Sequence, residues 1–222
     1  MPPIVITICV IIGSIMLVLN YFHRYFALRR RKYQIHPFLP IKWIFGNSLT
    51  MVFLAASGNF VLMWSTGLMV FLQLILMVLV IVDFRGKPRI WKITTQDYIC
   101  LGLSITAAIS FYFTGDATLG AIINFSGGLI GDIPQLRKAF VAPETDRISV
   151  YMISGIRSVI MFGALEQINP VGIIDTLGWA SVSFLEIGWL VFCRRRATRI
   201  AQTAVLARET VPVENLDQNV SG

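Results

Sequence analysis

Residues 43–82 read WIFGNSLTMVFLAASGNFVLMWSTGLMVFLQLILMVLVIV. An α-helix rises 1.5 Å per residue, so this run as one rod would extend about 60 Å. A bilayer's hydrocarbon core is only about 30 Å thick. The run must therefore fold back on itself, and Ser57-Gly58-Asn59 supplies turn-forming residues near its middle. The same ruler applied to the rest of the chain predicts helices over 3–22, 42–58, 60–82, 98–115, 117–139, 148–166 and 172–193, seven in all. Composition agrees with membrane residence. Of the 222 residues 55% are hydrophobic and 14% charged, with a mean hydropathy of +0.70, whereas soluble domains carry about a quarter charged residues.

The first segment has no positive region before it and no small-residue cleavage site after it, so it reads as a retained span rather than a secretory leader. Cys9, Cys100 and Cys193 lie in or beside apolar runs without CxxC spacing, which argues against a disulfide scaffold or a zinc site.

Charge tests the count of seven independently. Arg24, Arg29, Arg30, Arg31, Lys32 and Lys42 follow the first segment, and Arg85, Lys87, Arg89 and Lys92 follow the third. Arg137, Lys138 and Arg147 follow the fifth, and Arg194, Arg195, Arg196, Arg199 and Arg208 follow the seventh. Eighteen of the nineteen basic residues thus fall on one side of a seven-span chain, while Asp116, Glu166 and Asp175 mark the other. The positive-inside rule then puts the N-terminus outside and the C-terminus in the cytoplasm. The net charge of +7 orients the chain and meets anionic lipid head groups, rather than nucleic acid. The basic, aromatic segment 23–42 is expected to lie along the interface, and the polar tail from Glu209 to Gly222 to be disordered.

Three charged residues are expected deep within the bundle. Arg157 sits near the middle of the sixth segment, Asp132 in the fifth and Glu186 in the seventh. All three lie about 10–14 Å from the cytoplasmic ends of their helices. A buried charge needs a partner, so the three are expected to meet in one layer. Polar or small stripes support this: Asn124, Gly128, Gly131, Asp132 and Gln135 on the fifth segment, and Asp175, Trp179, Ser183 and Glu186 on the seventh. Pro134 removes a backbone donor and frees the carbonyl of Ile130, for which the Gln135 amide is a candidate partner. Gly127 and Gly131 form a small-xxx-small pair that lets another helix approach. The five tryptophans, Trp43, Trp64, Trp91, Trp179 and Trp189, read mostly as interfacial anchors. The buried cluster also suits a purely structural role in helix packing.

Residues 131–149, GDIPQLRKAFVAPETDRIS, resemble the PQ-loop motif of the SWEET and SemiSWEET membrane transporters and their relatives, through Pro134, Gln135, Lys138 and Ser149. The likeness is mainly in the C-terminal three-helix unit. It also extends to bacterial multi-pass proteins with an Asp before a Pro-x-x-x-Lys element. The resemblance implies a 3+1+3 arrangement of two parallel three-helix bundles. That divides the chain into residues 1–97, a linker helix at 98–116, a second bundle at 117–193 and a cytoplasmic tail at 194–222. The first segment departs from the pattern, since it has no Pro-Gln pair.

Two functions are expected from this reading. The first is a transporter in the inner membrane that moves a small polar solute by alternating access, using Asn124, Asp132, Pro134, Gln135, Arg157 and Glu186, with Gly127 and Gly131 as hinge or packing positions. The second is a non-transporting assembly, lipid-binding or signalling subunit. A homo-oligomer is compatible with either. Enzyme chemistry is disfavoured, and no cofactor, metal or catalytic residue is assigned. The two histidines, His23 and His36, fall in expected loops, residues 172–193 contain no lysine for a retinal Schiff base, and no GxSxG, HExxH or P-loop pattern occurs.

Overall fold

The computed structural model describes residues 2–30, 38–84 and 95–209. Among these the chain forms seven helices and no strand. They are α1 (Pro3–Arg29), α2 (Phe38–Ala56), α3 (Phe60–Phe84), α4 (Thr95–Thr114), α5 (Ala117–Val141), α6 (Ile148–Phe162) and α7. The last begins as an α-turn, Pro170–Ile173, widens to a π-helical stretch, Ile174–Gly178, and continues as Trp179–Glu209.

Local chemistry sets the ends. The α2–α3 turn needs Gly58 at φ +76°, and the α4–α5 turn needs Gly115 at φ +67°, a left-handed conformation that glycine adopts without a Cβ clash. Asp116 caps α5 by accepting from the amides of Thr118 and Leu119 at 2.8 and 3.1 Å. Asn169 caps α7 through Gly172 at 2.9 Å.

Among the described residues, three helices are long and apolar enough to cross a membrane: Pro3–Arg29, Phe60–Val82 and Pro170–Thr203. Much of the outer surface is greasy, with Trp64, Phe113 and Leu185 each more than 70% exposed. Water would not tolerate so continuous an apolar coat, and lipid does. The chain is a helical membrane protein.

Two boundaries differ from the sequence reading. Residues 23–29 do not lie apart from the first span; they continue α1, with Arg24, Ala27 and Leu28 buried. There they pack with Leu76 and Val80 of α3 and with Trp43. His23, expected in a loop, is therefore helical. Residues 194–209, expected to begin the tail, extend α7 instead. Residues 31–37 of the expected interfacial segment, including His36 and Pro37, lie outside the described residues, as do the basic cluster 85–92 with Trp91 and the tail 210–222.

The packing order of the helices positions the site. Helix α1 packs on α3, α3 on α2, α2 on α5, α5 on α7, α7 on α6, and α6 back on α1. The six close a ring, and α4 stands outside it against α5 and α2. At one end of the ring sit Pro3, the 57–59 and 115–116 turns and the 163–169 loop. At the other sit Arg29, Arg30, Arg137, Lys138, Arg147 and Arg194, here termed the basic end.

Candidate functional site

A cavity of about 140 Å³ lies on the axis of the ring. It is lined by Leu17, Asn20, Tyr21 and Arg24 from α1, Trp43 and Asn47 from α2, and Thr66, Met69 and Gln73 from α3. The other half supplies Asp132 and Gln135 from α5, Tyr151, Ser154, Arg157 and Ser158 from α6, and Asp175, Trp179, Ser183 and Glu186 from α7. Every ring helix contributes and α4 contributes nothing.

The charges fall into two sets rather than one layer. In the first, the Lys42 ammonium donates to Asp132 Oδ1 at 2.6 Å and to the carbonyl of Gly128 at 2.9 Å. Glu186 belongs here, within electrostatic range of Asp132, Lys42 and Arg24. In the second, Arg157 donates to Ser65 Oγ at 2.9 Å and interacts with Asp175. The expected Asp132–Arg157–Glu186 layer is therefore corrected. Asp132 is paired with Lys42, a residue that charge counting assigns to a loop. Arg157 faces Asp175, likewise assigned to a loop.

Lys42 is buried because of what lies opposite. Along α2, Lys42, Gly46, Thr50 and Phe53 recur at intervals of three or four and share one face. Along α5, Gly120, Asn124, Gly128 and Asp132 do the same. The two stripes interlock in antiparallel order. Phe53 fills the space where a Cβ on Gly120 would stand, at 2.8 Å. Asn124 donates to Gly46 O and Thr50 Oγ1 at 3.0 and 3.2 Å. The stem of Lys42 passes within 2.6 Å of a Cβ built on Gly131. The polar stripe on α5 thus faces α2 more than the ring axis. The α2 stripe is the sequence signal available for Lys42, masked when the lysine is counted with the preceding basic loop.

Of the residues assigned from sequence, Asp132, Gln135, Arg157 and Glu186 line the cavity. Asn124 and Pro134 are not among the lining, and α5 runs unbroken through Pro134. Gly127 packs against α4, where a Cβ would meet Leu103 Cβ at 3.1 Å, and Gly131 packs against Cys100 and Lys42. Trp43 and Trp179 turn toward the cavity. Trp43 lines the cavity under Arg24, with the guanidinium 5.0 Å from the ring centroid, and Trp179 covers Gly128. Of the others described, Trp64 is exposed.

The Gln135 amide does not serve the carbonyl freed by Pro134. Its Nε2 donates to Asp146 Oδ1 at 2.6 Å. Lys138 reaches the same oxygen at 3.4 Å, and Arg194 donates to the Asp146 carbonyl at 2.7 Å. Gln135, Lys138 and Arg194 thus tie the 142–147 link to the end of α5 and to α7. Ser149 Oγ lies 2.9 Å from His23 Nε2, joining α6 to α1 at the same level.

The opposite end of the cavity is closed. Phe53, Leu54, Leu62, Ala121, Met161, Leu165 and Val171 form a buried apolar cluster there. Above it the α2–α3 turn is clasped to the α6–α7 loop. Glu166 Oε2 accepts from the Val61 amide at 2.8 Å, Asn59 Oδ1 accepts from the Gln167 amide at 3.0 Å, and Asn169 donates to the Ser57 carbonyl at 2.9 Å.

Among the described residues no group of His, Cys, Asp and Glu could hold a metal ion. No family model matches the chain, and neither a characterised protein nor a solved structure matches it significantly.

Proposed function

We propose that this chain is a multi-pass transporter that moves a small polar solute across the inner membrane by alternating access. All seven helices span, in a 3+1+3 arrangement. The N-terminus is outside, and the C-terminus and basic end are cytoplasmic, against anionic lipid heads. One observation carries the reading: a charged cavity of about 140 Å³ lined by all six ring helices, with both halves of the chain contributing.

The packing order supports two related halves. Helices α1, α3 and α2 are neighbours in that order, as are α5, α7 and α6. The halves meet twice in an equivalent way, α1 on α6 and α2 on α5. A parallel repeat produces such an arrangement, and in repeat-built transporters the substrate site lies where the halves meet. Buried ionisable groups at that place are costly and mark a pathway. The apolar cluster and clasp at one end, with polar ties at the other, support a state closed to the outside.

Uptake into proteoliposomes tests this. Asp132→Asn should abolish flux while the protein, less stable for the lost Lys42 pair, still inserts and elutes as a single folded species. Normal flux in that variant would count against the assignment. No observation favours the assembly-subunit reading over this one, because a purely structural bundle has no need of a polar axial cavity.

A further inference from the structure

We propose, building on the transport reading, that the cavity binds a zwitterion. Its ammonium sits against Glu186 and the side-chain carbonyls of Asn20 and Gln135, and its carboxylate against Arg157.

Unused hydrogen-bonding capacity points to this. Asn20 is 3% exposed and Gln135 4% exposed. Both line the cavity, and Asn20 Oδ1 and Gln135 Oε1 have no hydrogen-bond partner among the described residues. These two acceptors stand at matching heights in corresponding helices. Asn20 follows Pro3 by 17 residues, and Gln135 follows Ala117 by 18. Glu186, which lines the same cavity, makes no direct ion pair or hydrogen bond among the described residues. Three acceptors without donors call for a ligand group rich in N–H. On the other set, Arg157 uses Nη2 on Ser65, and its buried Nε has no partner among the described residues. A planar guanidinium with free donors is suited to a carboxylate.

Charge balance decides between ligand classes. Arg24 and Arg157 in the lining, with Lys42 paired to Asp132 beside it, oppose Asp132, Asp175 and Glu186, so the site together with Lys42 is neutral when all are ionised. A net-charged solute would upset that balance in a low-dielectric interior. A neutral polyol would keep it, yet leave Glu186 without a direct ion pair and the Arg157 Nε without an acceptor, with only the field of Asp175 opposing that charge, and buried charges without direct partners are expensive. A zwitterion keeps the balance and supplies both partners. At about 140 Å³ the cavity is smaller than the 300–1,000 Å³ of drug-sized pockets, which limits the ligand to a few carbons between its charges.

The test uses the full chain, purified in detergent for melting and in proteoliposomes for flux. The probes are glycine, β-alanine and 4-aminobutyrate, with ethylamine and acetate as half-ligands and sorbitol as the polyol. At least one zwitterion should raise the melting temperature saturably, in proportion to ln(1 + [L]/Kd), while neither half-ligand does. Glu186→Gln should weaken that Kd about tenfold or more, the scale of one charge-assisted hydrogen bond. Asn20→Ala should weaken it several-fold, and decides the matter should Glu186→Gln not fold. Stabilisation by sorbitol alone, by none of the zwitterions, or with an affinity indifferent to both variants overturns the proposal. Zwitterion binding without flux would remove the transport reading and leave the ligand class standing. Sorbitol flux without zwitterion binding would do the reverse.

Discussion

The ammonium of Lys42 and the carboxylate of Asp132 meet at 2.6 Å, with side chains only 6% and 13% exposed, and this pair joins α2 to α5 across the two halves of the chain. Removing one member leaves the other buried without its counter-ion. Lys42→Met or Asp132→Leu alone should each cost about 3–5 kcal/mol. The double variant should recover most of that loss, since neither charge then remains. Chemical or thermal unfolding of the four proteins in detergent gives the coupling directly. Additive single losses would mean that the two residues do not share their energy.

Glycines on α5 should differ according to what faces them. Gly131→Ala places a Cβ 2.6 Å from Cys100 Sγ and from the Lys42 stem, and should destabilise by about 1–3 kcal/mol through overpacking. Gly102 on α4 has nothing within 4 Å of such a Cβ. Gly102→Ala should be neutral or slightly stabilising, as alanine favours the helix. Equal melting temperatures for the two variants would contradict the close approach at Gly131.

The closed end of the cavity can be probed by chemistry. Ser183 is buried and lines the cavity. In a background lacking Cys9, Cys100 and Cys193, Ser183→Cys should react with a membrane-impermeant thiol reagent applied at the basic end and resist it from the other. Asn59 is fully buried and holds the clasp through the Gln167 amide. Asn59→Ala should cost about 1–3 kcal/mol for the orphaned amide and raise labelling from the clasped side. Equal labelling from both faces in the parent would show that the apolar cluster is no barrier.

Asp146 sets a pH dependence. Burial pushes its carboxyl above the ordinary range, opposed by the Lys138 ammonium and the Gln135 amide. A raised value in the folded state means that the folded protein favours the neutral form. That contribution is complete below the unfolded value of about 4 and is lost as pH climbs through the raised one. Asp146→Asn stays neutral throughout. The melting temperature of the parent relative to this variant should therefore fall as pH rises from about 4 through the raised value. A rising difference would mean that the Lys138 pairing outweighs burial.

Several of these relationships can be traced to particular sequence features. The 43–82 run could fold only at Ser57-Gly58-Asn59, and the turn stands there. The α7 stripe of Asp175, Trp179, Ser183 and Glu186 is legible because helical periodicity alone puts the four on one side, and all four line the cavity. Lys42 is misread because loop charges and helix-terminal charges look alike along a chain. Only the glycines opposite show that a lysine four residues into α2 turns inward. The Asp132–Arg157 pairing fails for a related reason. Equal depth in a helix permits contact, but which helices are neighbours decides it.

The sequence by itself determined the number of helices, their turns and the sidedness of their charge, because each depends on local apolar length, glycine conformation and counts of residues along the chain. Only the tertiary structure decided the ring order, the division of charges into two sets and the partner of each buried group. Those depend on distances between segments far apart in sequence, and one residue's helical phase or one neighbour's missing Cβ is enough to redirect them.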